Sequence, residues 1–137
     1  MFKAVFQEFL NSRPSDDSNI SAKTIAIYKN NILLLQNPDK TYELPGGHIK
    51  KNEPVMVGAA REFFEETGLV VNLIKTIMRR SDRVIYTGKL NSKNVKISKE
   101  HIGYKFIPIN KINKMKLSKK AHKDLHFLKT ERMRKSK

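Results

Sequence analysis

The chain contains no cysteine, which excludes disulfides and thiolate-bound zinc and makes an intracellular setting the natural expectation. It also lacks any apolar run approaching membrane-spanning length, so no membrane partner is expected. The stretch MFKAVFQEFLNSRPSDD is too polar for a secretory signal, and its acidic residues argue against a transit peptide. Together these absences predict a soluble, cytoplasmic protein. Acidic residues are scarce as well, 13 Asp and Glu against 28 Lys and Arg, for a formal net charge of +15. The scarcity is uneven. Residues 71–137 hold only 4 acidic residues against 20 basic ones, whereas residues 1–70 hold 9 against 8.

What is present suffices for one packed domain. A length of 137 residues supports a single core and is too short to plan for two, so 1–137 reads as one domain, with monomer and homodimer both open. Residues 20–28 (ISAKTIAIY) and 32–37 (ILLLQN) are β-rich runs joined by KNN, a hairpin pattern. NPDK marks a second turn, and TYEL (41–44) is a short strand leading into Pro45-Gly46-Gly47. From Pro54 the pattern becomes helical, with small Gly58, Ala59 and Ala60 in the middle and Gly68 as the stop. LVVNLIKTIMRR, RVIYTGKL and GYKFIPI are further strands. Leu117, Ala121, Leu125 and Leu128 form one apolar stripe of a closing helix. Residues 2–10 fit either a short helix or an edge strand, followed by the polar loop NSRPSDDSN. This order predicts an α/β sandwich around a mixed sheet.

The acidic residues of the first half are oddly placed. Glu62, Glu65 and Glu66 stand at i, i+3 and i+4 of the helix and so share one side. Each like-charge pair destabilises a bare helix by about 0.2–0.5 kcal/mol. Glu65 and Glu66 also occupy the last turn, where the helix dipole disfavours anions. A hard divalent cation supplies the missing stabilisation, because Mg²⁺ and Mn²⁺ prefer carboxylate oxygens. Gly46 and Gly47 let the backbone turn tightly against that face, so that a carbonyl there can join the ligands. Glu53 lies in the first helical turn or just before it, and Arg61 can pair with Glu65 along the helix or with Glu53 if the preceding chain folds back.

The full spacing is Gly47, five residues, Glu53, seven residues, then Arg61-Glu62-Phe63-Phe64-Glu65-Glu66-Thr67-Gly68-Leu69. It resembles the Nudix box, G-x5-E-x7-R-E-U-x-E-E-x-G-U with U bulky and apolar. Every fixed position is present, and the one mild departure is Phe63, where an aliphatic is commoner. YELPGG before the box and HIGYKFIPINKI after it are similar to the same family. The resemblance implies an α/β/α sandwich around a mixed β-sheet and hydrolysis of a nucleoside diphosphate linked to another group, X. It further implies that Glu62, Glu65 and Glu66, with the Gly47 carbonyl, bind Mg²⁺ or Mn²⁺, and that Arg61 and Glu53 support the helix. The general base is open between Glu66 and a downstream residue, Glu100. His101 beside it reads as structural or solvent-exposed.

The box is silent on X. Tyr86, 17 residues after Leu69, resembles a feature of the dinucleoside-polyphosphate branch, although a core aromatic on a strand fits it too. Tyr42 and Phe106 are further candidates for stacking on a base. The expected substrate is a small nucleotide: a dinucleoside polyphosphate, a nucleotide sugar or a modified NTP. The basic half 71–137 keeps open an enzyme acting on RNA 5′ ends, although no RNA-binding module or aromatic ladder accompanies it. A third reading is a non-catalytic nucleotide- or RNA-binding protein on the same fold. Three mutually repelling carboxylates argue against that one.

Overall fold

The computed structural model describes residues 19–126. Seven strands form one sheet: β1 (Ser21–Tyr28), β2 (Asn31–Gln36), β3 (Tyr42–Glu43), β4 (Gly46–His48), β5 (Asn72–Arg79), β6 (Arg83–Lys89) and β7 (Gly103–Pro108). The order runs β3-β2-β1-β6-β5, with β4 also paired to β1 and β7 to β2. Strands β1 and β6 are parallel, Ser21 opposite Arg83 through Ile27 opposite Lys89, while the other strand pairs are antiparallel. The sheet is therefore mixed, as the sequence predicts. Helix α1 (Val55–Thr67) fills the connection between β4 and β5. A 3-10 turn (Ile109–Lys114) follows β7, and residues 119–126 form a second helix, α2.

Alternation along the strands sorts their side chains to two faces. Ala22, Ala26, Leu33, Leu35, Val84 and Tyr86 pack on one face with Val55, Met56, Ala59 and Phe63 of α1. Ile25, Ile32, Leu34 and Ile85 pack on the other with Ile112 and Leu125 of α2. The result is three layers, helix on sheet on helix. Phe63 is completely buried, so the aromatic at this position is absorbed by the core. Asp124 of α2 is also buried and accepts a two-pronged hydrogen bond from Arg83 of β6, which ties α2 to the sheet.

The ends of α1 follow from its sequence. Pro54 stands just outside the helix at the N-cap, with an extended ψ of 135°, and its carbonyl accepts the Gly58 amide at 3.0 Å. Gly68 ends the helix in the left-handed conformation, φ 71°, donating its N–H to the Phe64 carbonyl. One feature differs from the sequence expectation. Gly46-Gly47-His48 pairs as strand β4 against β1, although its glycines read as a turn. The segment 2–10, most of the loop after it and Leu128 lie outside the described residues. Among the described residues no helix is long and apolar enough to cross a membrane.

Candidate active site

Strand β4 runs beneath the C-terminal half of α1, and the two meet through glycine. A Cβ on Gly47 would overlap the Glu62 carboxylate, so only glycine lets this acidic side chain lie against the loop. The loop between β4 and α1 is then clamped by Arg61. Its Nε and Nη2 donate to the two oxygens of Glu53 at 2.8 and 3.0 Å. Its Nη1 donates to Glu62 at 2.9 Å and to Glu65 at 3.1 Å, and Nη2 also reaches the His48 carbonyl at 3.2 Å. Both pairings that the sequence allows for Arg61 are thus made at once. The forked hydrogen bond from Arg61 holds the Glu53 carboxyl below its usual range. In return Glu53 first, then Glu62 and Glu65, fix the guanidinium in its charged form.

The three box carboxylates experience different surroundings. Glu65 is exposed, Glu62 is half-buried and Glu66 is buried at 7% exposure. Successive helix positions are about 100° apart, so Glu66 turns toward the sheet where Glu65 turns to solvent. Glu66 accepts the Gly46 amide at 2.6 Å, yet burial dominates and pushes its pKa up to about 7. A carboxylate poised near neutrality is what acid–base work requires.

His101 was not foreseen as part of this site. It is buried, with Nε2 3.6 Å from Glu43 and Nδ1 3.8 Å from Glu66, so it bridges β3 to the helix. Its Nδ1 has no hydrogen-bond partner. The Glu43 contact raises the His101 pKa, and Glu66 adds to the effect. Burial works to raise Glu43 itself, but His101 and Lys23 outweigh it and hold that carboxylate ionised. A raised imidazole stabilises the fold fully below its ordinary value of 6.5 and less as pH climbs through its folded value. His101→Leu should therefore cost about 2 kcal/mol at pH 6. Urea melts of the metal-free protein should show the deficit shrinking at pH 9.

The remaining candidates are scattered. Glu100 is exposed on the turn before β7. Tyr86 is 3% exposed within the α1-side core, and Tyr42 is 8% exposed in the core on the opposite face, beneath Lys105. Their rings are committed to packing. Phe106 lies half-buried on the α1 face, edge-on to Tyr28 and Tyr104 at centroid distances of 6.0 and 6.2 Å.

The NUDIX domain matches this chain over residues 19–129, most of its length and all of the box. The chain belongs to the Nudix family. Solved structures with the same fold include an Ap4A hydrolase binary complex from C. elegans, 20% identical at a TM-score of 0.67, covering 85% of this chain and 98% of that one. The MutT protein of Methanosarcina mazei Go1 is 26% identical at a TM-score of 0.61, covering 85% and 94%. A NUDIX-family hydrolase from Clostridium perfringens is 19% identical at 0.66, covering 80% and 94%. No curated protein matches the chain.

Nudix hydrolases generally use divalent metals, and the donor chemistry here fits one. Carboxylates and a loop carbonyl are the hard oxygen ligands such ions prefer, and the absent Cβ of Gly47 leaves the Glu62 carboxylate room beside the loop. In the structure Arg61 holds Glu62 and Glu65, while the Gly46 amide and His101 face Glu66. Accordingly, no group of three or more acidic or His side chains among the described residues is arranged so that it could hold a metal ion as it stands.

Proposed function

We propose that this Nudix hydrolase cleaves a pyrophosphate bond in a small nucleotide, a nucleoside diphosphate joined to X, with Mg²⁺ or Mn²⁺. The observation that carries the reading is the junction at Arg61, where one guanidinium gathers Glu53, Glu62, Glu65 and the carbonyl of His48 at the end of β4. A surface helix would have no need of it. Glu62, Glu65, Glu66 and the Gly47 carbonyl are assigned to hold the cation. Once bound, it neutralises pyrophosphate charge and lowers the pKa of water. Arg61 and Glu53 keep the loop at a fixed distance from the helix. Glu66, buried on the helix face that carries the other two carboxylates, is better placed than Glu100, exposed on the turn before β7, to take the proton of the attacking water.

Chromatographic separation of the products formed in Mg²⁺ or Mn²⁺ from a panel of dinucleoside polyphosphates, ADP-ribose, NADH, oxidised dNTPs and triphosphorylated RNA tests the reading. At least one small nucleotide should be cleaved, with EDTA abolishing turnover. Silence across the whole panel would overturn it. The basic half makes RNA the competing substrate. For a small nucleotide, salt should lower kcat/KM only modestly, because few charges are presented. Binding to single-stranded RNA would instead weaken with a logarithmic slope of about −0.7 per phosphate contacted. A slope near −3 or steeper on a triphosphorylated oligonucleotide, flattened by removing RMRKSK, would assign the enzyme to RNA ends.

A further inference from the structure

Beside Gly47 a cleft of about 260 Å³ opens between the sheet and the start of α2. Its lining includes Lys23 on β1, Arg83 on β6, Lys119 and Lys120 on α2, and Glu43. Gly47 is common to the cleft and to the Glu62 contact, so the cleft adjoins the carboxylate site across a single residue.

Two of its cations are costly to place. The side chains of Lys23 and Arg83 are only 14% and 13% exposed, and sinking a charge into a sheet carries a desolvation penalty that apolar residues would avoid. Asp124 offsets Arg83 from behind. Lys23 donates to the Gly46 carbonyl at 3.2 Å and lies 3.9 Å from Glu43, which it shares with His101. Lys119 and Lys120 then leave the cleft two charges positive, counting Lys and Arg against Asp and Glu. No Phe, Tyr or Trp lines it. Its volume also falls below the roughly 300–1,000 Å³ of clefts that enclose a drug-sized ligand. A small, cationic cleft without an aromatic wall suits phosphates and offers a base nothing to stack on.

We propose that this cleft seats a chain of phosphates belonging to X, so that the substrate is a nucleoside polyphosphate rather than a nucleotide sugar. The inference rests on the hydrolase reading for which group is cleaved, but its binding element can be measured without turnover. A free nucleoside polyphosphate and a triphosphorylated RNA end both carry such a chain, and the salt slope described above distinguishes them.

The probe is inorganic tripolyphosphate, titrated calorimetrically into the full chain in EDTA. Tripolyphosphate should bind, and Lys119→Ala with Lys120→Ala should weaken it roughly tenfold. Removing the same charge from exposed positions on β5 and β6, Lys75→Ala with Lys89→Ala, should leave binding unchanged. Turnover should favour a dinucleoside tetraphosphate over ADP-ribose by roughly tenfold or more in kcat/KM. The Lys119/Lys120 pair should raise KM for the tetraphosphate. No binding, or equal weakening by the two double variants, would overturn the cleft assignment even if ADP-ribose were cleaved. Tripolyphosphate binding with its Lys119/Lys120 dependence, but without cleavage of any substrate, would support the cleft and overturn the hydrolase reading instead.

Discussion

Glu66→Gln is expected to lower turnover by roughly 10³-fold while making the metal-free protein more stable. The two effects share a cause. Glu66 is buried beside the sheet, and its pKa of about 7 lies above the ordinary 4.5. A carboxyl whose folded value is raised opposes folding once it ionises. The penalty is absent below about pH 4.5 and grows as pH rises toward 7. Gln keeps the shape and can still accept the Gly46 amide, but it carries no charge. The gain should be on the order of 2 kcal/mol at pH 8 and vanish at pH 4. Catalysis loses a ligand charge and the assigned proton acceptor together. Glu65→Gln should also suppress turnover, with little change in stability because Glu65 is exposed. Near-wild-type rates in both variants would sink the assignment of these carboxylates.

Arg61→Ala should destabilise the fold by about 3 kcal/mol and reduce kcat by roughly 100-fold. Arg61 is the only cation that the structure places in contact with Glu53, Glu62 and Glu65 among the described residues. Removing it deprives three carboxylates of the cation they share and frees the His48 carbonyl, at the end of β4, from the helix. Lys at this position keeps the charge but cannot reproduce the forked contact to Glu53, so it should recover only part of the loss. A rise in KM alone, with stability and kcat intact, would show that Arg61 contacts substrate rather than supports the helix.

The box helix was legible because its signals are local. Pro54 and Gly68 bound it, and three carboxylates at helical spacing repel one another unless something else holds them. The hairpin and the strands around Ile25, Leu34 and Ile85 were legible from their β-branched and apolar runs. Strand β4 was hidden because Gly46 and Gly47 contribute only backbone to the pairing, and propensity cannot register that. The burial of Glu66 depends on how α1 is rotated against the sheet. His101 reaches Glu43 and Glu66 across 58 and 35 positions of sequence, so a lone imidazole gave no pattern to read. The cationic cleft is hidden for the same reason: Lys23, Arg83 and Lys119 become neighbours only through the parallel β1–β6 pairing and the Arg83–Asp124 tie to α2.

The assignment of a divalent cation to the acidic face of α1 has a direct test. Titrating Mn²⁺ into the full chain and following the free ion by electron paramagnetic resonance tests it without reference to any substrate. Wild-type protein should take up Mn²⁺ with saturation, Mg²⁺ should compete, and both Glu65→Gln and Glu66→Gln should weaken uptake by at least about tenfold. Uptake by the two variants equal to that of wild type would contradict the account.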